Sequence, residues 1–176
     1  MNILTDHMGS EFYKLPPLVQ KVHIGRNRLE GMVQVSRGNL LAQLICTVFR
    51  FPKASEHCRL VVNCDHTDQV MLWHRNFDGL DMVSHFRREG EYLIERLGPL
   101  VMYFKALAVD GCLRYDFRYT KLFGIRLPVW FSPRIDAQEY EEDGHYRFSV
   151  QVTMPVVGKV ISYFGVMSVD STPHNP

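Results

Sequence analysis

Arg134-Ile135-Asp136-Ala137-Gln138-Glu139-Tyr140-Glu141, then Asp143-Gly144, then His145-Tyr146-Arg147-Phe148-Ser149-Val150-Gln151-Val152-Thr153-Met154: this stretch decides the fold. An Asp-Gly pair between two alternating segments is the strongest short-range signal for a β-hairpin. The second segment alternates polar and apolar residues with period two, the mark of a half-buried strand. Pro155-Val156-Val157-Gly158 makes a second turn, and Lys159 to Val169 returns as a third strand.

Register follows from turn parity. Cross-strand partners share a face, so the apolar face of Tyr146, Phe148, Val150 and Val152 fixes that of its neighbours. A two-residue loop at Asp143-Gly144 pairs Glu142 with His145 and therefore Glu139 with Phe148. A four-residue loop pairs Glu139 with Tyr146, on the same face. The second hairpin brings Ile161, Tyr163, Gly165 and Met167 to that face. Glu139 is thus expected to point inward among aromatic rings, with Gly165 leaving room opposite.

Outward from this core the chain reads mostly as strand. Arg28 to Ser36 is the first, followed by a helix from Leu40 to about Arg50, capped by Asn39 and ended by Pro52. The apolar residues of that helix cover a broad face suited to docking on a sheet. Ser10 to His23 reads as an earlier helix, with Pro16-Pro17 marking either its start or a preceding turn. Further strands span Leu60–Cys64, Gln69–Phe77, Asp81–Arg88, Tyr92–Leu97, Leu100–Val109 and Leu113–Tyr119. Asp78-Gly79, Glu89-Gly90 and Asp110-Gly111 supply turns, and Asp65-His66-Thr67-Asp68 reads as a polar one. Gly124 to Pro133 is a Pro-bounded connection, and the tail after Asp170 is expected to be loose. The pattern predicts a predominantly β, α+β fold of one domain, with an ordered core over about residues 10–170. Its centre is a strongly curved antiparallel sheet or meander β-barrel of 8–10 strands. Two N-terminal helices accompany it, one lying between strands 1 and 2.

Composition narrows the function classes. The 176 residues are 46% hydrophobic and 12% aromatic, as a packed globular chain is. Twenty basic against nineteen acidic residues give a net charge of +1, which offers no electrostatic footprint for nucleic acid or an anionic membrane. No apolar run is long enough to span a bilayer, and the start lacks the pattern of a signal peptide, so a cytoplasmic protein is expected. Cys46, Cys58, Cys64 and Cys112 form no C-x-x-C pair. Cys58, Cys64 and His66 could gather toward a metal but lack a fourth ligand at a recognisable spacing.

Candidate chemistry sits on inward faces. If Trp73 faces the interior, so does Arg75, and an inward Arg and an inward Glu139 should pair because either charge alone is costly to bury. Such a pair would either satisfy a polar patch or anchor the polar end of a ligand. Glu95 and Arg96 are adjacent, so one of them must take the less polar face. Tyr115, Tyr119, Tyr146 and Tyr163 fall on the apolar sides of their strands. There is no G-x-S-x-G elbow, P-loop or dinucleotide-binding glycine pattern, so neither a nucleophile nor a nucleotide cofactor is indicated.

Leu15-Pro16 with His23, Gly31-x-x-x-Val35-x-x-Gly38, Trp73-His74-Arg75-Asn76-Phe77, Glu95-Arg96-Leu97-Gly98-Pro99 and Gly124-Ile125-Arg126-Leu127-Pro128 occur in this order. Glu139, Phe148-x-Val150, Met154-Pro155-x-x-Gly158 and Tyr163-x-Gly165 follow. In these motifs the chain, from about Phe12 to Val169, resembles the bacterial domain-of-unknown-function family 4166. The resemblance implies no catalytic residues. It implies an oxidoreductase partner for some members, which are joined to a saccharopine-dehydrogenase-like, nucleotide-binding domain. The expected role is to bind a small apolar or amphipathic ligand without catalysis, metal or cofactor, at Trp73, Arg75, Glu95, Arg96, Tyr115, Glu139, Phe148 and Tyr163. Two alternatives stand beside it: an enzyme or enzyme accessory using Glu139 as acid or base, and a docking module for an oxidoreductase.

Overall fold

The computed structural model describes residues 2–68 and 71–171. The strands are β1 (Gly25–Arg37), β2 (Ser55–His66), β3 (Met71–Phe77), β4 (Leu80–Glu89), β5 (Tyr92–Leu97), β6 (Leu100–Val109), β7 (Cys112–Leu122), β8 (Ile125–Arg126), β9 (Arg134–Glu142), β10 (His145–Met154) and β11 (Gly158–Ser171). Neighbours pair antiparallel in a meander; β8 is a two-residue appendage of β7, which passes on to β9, and β11 returns to β1. Ten strands therefore close into a barrel. Gln69 and Val70, expected to open β3, and the tail from Thr172 lie outside the described residues.

The Asp-Gly turns act as the sequence indicated. At Asp78-Gly79, Asp110-Gly111 and Asp143-Gly144 both residues take positive φ, the geometry of a two-residue hairpin loop whose twist matches that of the strands. Glu142 pairs with His145 and Glu139 with Phe148. Across the next ladder Tyr146, Phe148, Val150 and Val152 meet Met167, Gly165, Tyr163 and Ile161. Gly165 has a different reason from the one expected. A Cβ there would come within 2.6 Å of Val33 Cγ1, so the glycine permits β1 and β11 to close, rather than making room for Glu139.

One end of the barrel, where β1 begins and β2 finishes, is covered by α1 (Ile3–Met8), a 3-10 turn (Gly9–Lys14) and α2 (Pro17–Val22). The helical layer begins at Ile3. Asn2 and Thr5 form a reciprocal capping box, and Leu4, Phe12, Val19 and Val22 are fully buried beneath it. Helix α2 starts at Pro17, where a missing N–H costs nothing.

At the opposite end lies α3 (Leu40–Val48), capped by the Asn39 side chain, which accepts from Ala42 N at 3.0 Å. Its docking face differs from the expected one. Ala42 and Cys46 are buried against β11, and Leu40, Leu41, Leu44 and Val48 point to solvent. Small residues win because the helix start lies so close to β11 that a Cβ on Gly38 would overlap Lys159 O.

Two irregularities shape the wall. Register shifts at Arg118, so Tyr119 turns outward onto Tyr103 (4.1 Å between ring centroids) instead of lying on the inner side with Tyr115. Strands β7 and β9 pair over only three residue pairs, Cys112–Tyr140 to Arg114–Gln138, and then part. Residues 123–133 run beside the parting.

Candidate functional site

Interior side chains divide into a floor, a polar chamber and an apolar chamber. Glu139 builds the floor beneath the helical cover. Its Oε2 accepts from His23 Nε2 at 2.7 Å and from the Tyr146 hydroxyl at 2.7 Å; its Oε1 accepts from the Tyr115 hydroxyl at 2.9 Å. Burial works to raise the Glu139 pKa. The His23 charge and the donors from His23, Tyr146 and Tyr115 outweigh it and hold the carboxyl below its ordinary value. Both tyrosines are pushed well above theirs, by burial and then by the Glu139 charge, so they remain donors.

The expected Arg75–Glu139 pair is therefore replaced. Arg75 Nη1 donates to Ser84 Oγ at 2.8 Å, the guanidinium lies 3.7 Å from Glu95, and it sits over the Trp73 ring at 5.3 Å. The reason is geometric: His23, fixed at the α2–β1 junction by an Asn2 hydrogen bond to its carbonyl, reaches Glu139 first.

Beside the pair, His23, His66 and Trp73 pack as three rings with centroids 5.4–5.6 Å apart. His66 was expected in a polar turn. It is instead the last residue of β2, facing inward and 3% exposed. Burial, then the His23 charge, holds its pKa well below the ordinary value, so the ring stays neutral. Neither of its nitrogens, nor His23 Nδ1 or Trp73 Nε1, meets a hydrogen-bond partner among the described residues.

Above the floor lies a chamber of about 80 Å³, lined by Trp73, Arg75, Glu95, Tyr115, Glu139, Phe148 and Tyr163 among others. Seven of the eight residues singled out in the sequence thus share one wall. Arg96 does not: it is exposed on the outer face, where its Nε donates to Gly98 O. Of each adjacent pair on a strand only one can face in, and Glu95 does. His23, Tyr146 and Ser84 belong to the site and were not assigned to it from sequence. Tyr146 carried a usable signal, being on the inward face of the deciding hairpin.

A second chamber of about 230 Å³ opens toward α3. Its wall is almost wholly apolar, including Ile45, Phe49, Phe51, Met102, Leu127 and Phe131. The two chambers share Glu95, Ile135, Val150 and Tyr163, so they adjoin. Tyr115, Ile135 and Ala137 also face the outer groove where β7 and β9 part. Among the described residues no three His, Cys, Asp or Glu side chains converge to hold a metal ion, and the four cysteines are free.

The family model for a domain of unknown function, DUF4166, matches residues 15–167, and the chain belongs to that family. No curated protein and no solved structure matches it.

Proposed function

Taking the chain as a member of this family, we propose that the barrel binds a small amphipathic molecule. The apolar part occupies the chamber beneath α3 and the polar end meets Arg75 and Glu95. The observation that carries this reading is the adjoining of two unlike chambers in one interior. One has a cation, a carboxylate and tyrosine hydroxyls on its wall, and the other has almost no polar surface. The part of Arg75 that is not covered faces the chamber, and its remaining N–H groups suit a carboxylate or phosphate head.

Glu139 is better understood as the floor of this site than as an acid or base. A poised base needs a free lone pair and a pKa near neutrality. Every donor around Glu139 is already committed to it, and its pKa lies on the low side.

Titration of delipidated protein with a fluorescent polyene fatty acid tests the reading. Saturable binding that unlabelled acyl compounds displace supports it. Fluorescence no different from that with an unrelated β-protein overturns it.

A further inference from the structure

We infer that the α3 end of the barrel docks on an anionic lipid bilayer. Around this end large apolar side chains are exposed where a soluble surface would be polar. On α3, Leu40 is 83%, Leu44 60% and Val48 69% exposed, and together with Leu41 they form one stripe along the helix. Across the mouth, Val129 is 76% and Trp130 67% exposed. Phe131, beside them, is exposed at 46% and also lines the apolar chamber, so the surface and the cavity wall are continuous there. The turn between β10 and β11 adds Val156, exposed at 78%.

Charge selects the occupant. Residues 37–53, 121–134 and 153–160, which carry the apolar surface of this end, contain no Asp or Glu, in a chain with nineteen; of the two tight turns that complete the end, Gly98-Pro99 has none and Asp78-Gly79 has one. They present five exposed cations: Arg50, Lys53, Arg126, Arg134 and Lys159. None of the five is ion-paired with a carboxylate among the described residues, whereas on the rest of the barrel such pairs recur, as in Arg26–Asp65, Arg59–Glu30 and Arg118–Asp116. The acids at and next to this end are Asp78, Glu56 and Asp136, the last exposed two residues beyond Arg134 on β9 and not ion-paired with it. Glu56 is bonded by Gln34 and Asp78 accepts from Arg59 N; none of the three lines the apolar chamber, whose single acid, Glu95, is interior and beside Arg75. The net charge of +1 hides this segregation, because the acids are gathered elsewhere.

Apolar side chains ringed by unpaired cations are what an interface of acyl chains and anionic headgroups requires. A protein partner would have to be acidic and apolar over the same area. Docked this way, the mouth of the apolar chamber lies at the depth where an amphiphile leaves the bilayer. The proposal extends the ligand-binding reading, but apart from Phe131 it rests on different residues, so the two can fail separately.

The test is flotation of the full chain with vesicles of phosphatidylcholine alone and of phosphatidylcholine with phosphatidylglycerol. Binding to the anionic vesicles that weakens in high salt is expected. Leu44→Glu with Trp130→Glu, both at exposed positions, should reduce it by about tenfold or more. Trp130 emission should shift to the blue on binding, and Trp130→Phe should abolish that shift, since Trp73 is buried. Ligand content, measured on the same samples by mass spectrometry, reports the cavity independently. No flotation with either vesicle overturns the proposal, as does binding indifferent to the double variant. A concentration-dependent dimer that the same variant abolishes, without vesicle binding, would assign the surface to a second copy and also overturn it.

Discussion

Glu139 on β9 and His23 at the end of α2 are 116 residues apart in sequence and joined by a 2.7 Å hydrogen bond. The bond ties the helical cover to the barrel and spares both groups burial without a partner. Glu139→Ala leaves His23 and two tyrosine hydroxyls without their acceptor, and should cost about 3–5 kcal/mol. Tyr146→Phe removes one donor to a charged group and should cost about 1.5–3 kcal/mol. Urea unfolding of the two variants checks both values; a Glu139→Ala cost no larger than that of Tyr146→Phe would show that the carboxylate does not organise the floor.

Acid should destabilise the protein in two steps. His66 and His7 have pKa values lowered by burial, so as pH falls the unfolded chain takes up protons first, from about the ordinary histidine value of 6.5. Their contribution is complete above that value and is lost below it, at up to about 1.4 kcal/mol per pH unit per group. Glu139 is also lowered, so its contribution is complete above the ordinary carboxylate value of 4.5 and is lost as pH falls through its own lower value. Melting temperature followed from pH 8 to 3 should show both limbs. His66→Phe should shallow the upper one and Glu139→Gln the lower one.

Gly165→Ala should cost about 1–3 kcal/mol, because the added methyl meets Val33 Cγ1 at 2.6 Å. Val33→Ala removes the obstructing methyls, so the double variant should recover part of that loss. Additive losses in a thermal melt would mean that the strands yield instead.

How far these relationships could be seen in the chain depends on how local they are. Turn parity at Asp143-Gly144 placed Glu139 inside for any even loop, opposite Phe148 or Tyr146; the two-residue loop that forms sets it opposite Phe148. Period two also put Trp73 and Arg75 on one wall. Partners were less legible. Whether Glu139 meets Arg75 or His23 depends on where a helix layer seats across the barrel end, which no local pattern encodes. Tyr119 was misplaced because a single extra residue at Arg118 inverts the alternation after it. The outer stripe of α3 looked like a docking face because hydrophobicity alone does not say which side Ala42 and Cys46, with their small volumes, would take.

Replacing Arg75 and Glu95 together, as Arg75→Met with Glu95→Gln, removes both charges without stranding either. The barrel should keep its unfolding free energy to within about 1–2 kcal/mol, since most buried pairs contribute little net. Affinity for an acyl carboxylate probe should fall about tenfold or more, as a charge-assisted contact is lost. Unchanged affinity would remove Arg75 from the binding site.

Native mass spectrometry of the protein as purified tests the central claim most directly. The account predicts a species heavier than the chain by the mass of a small molecule. That mass should be released by organic solvent and depleted in the Arg75→Met, Glu95→Gln variant. A bare chain mass that persists after incubation with a total lipid extract would contradict it.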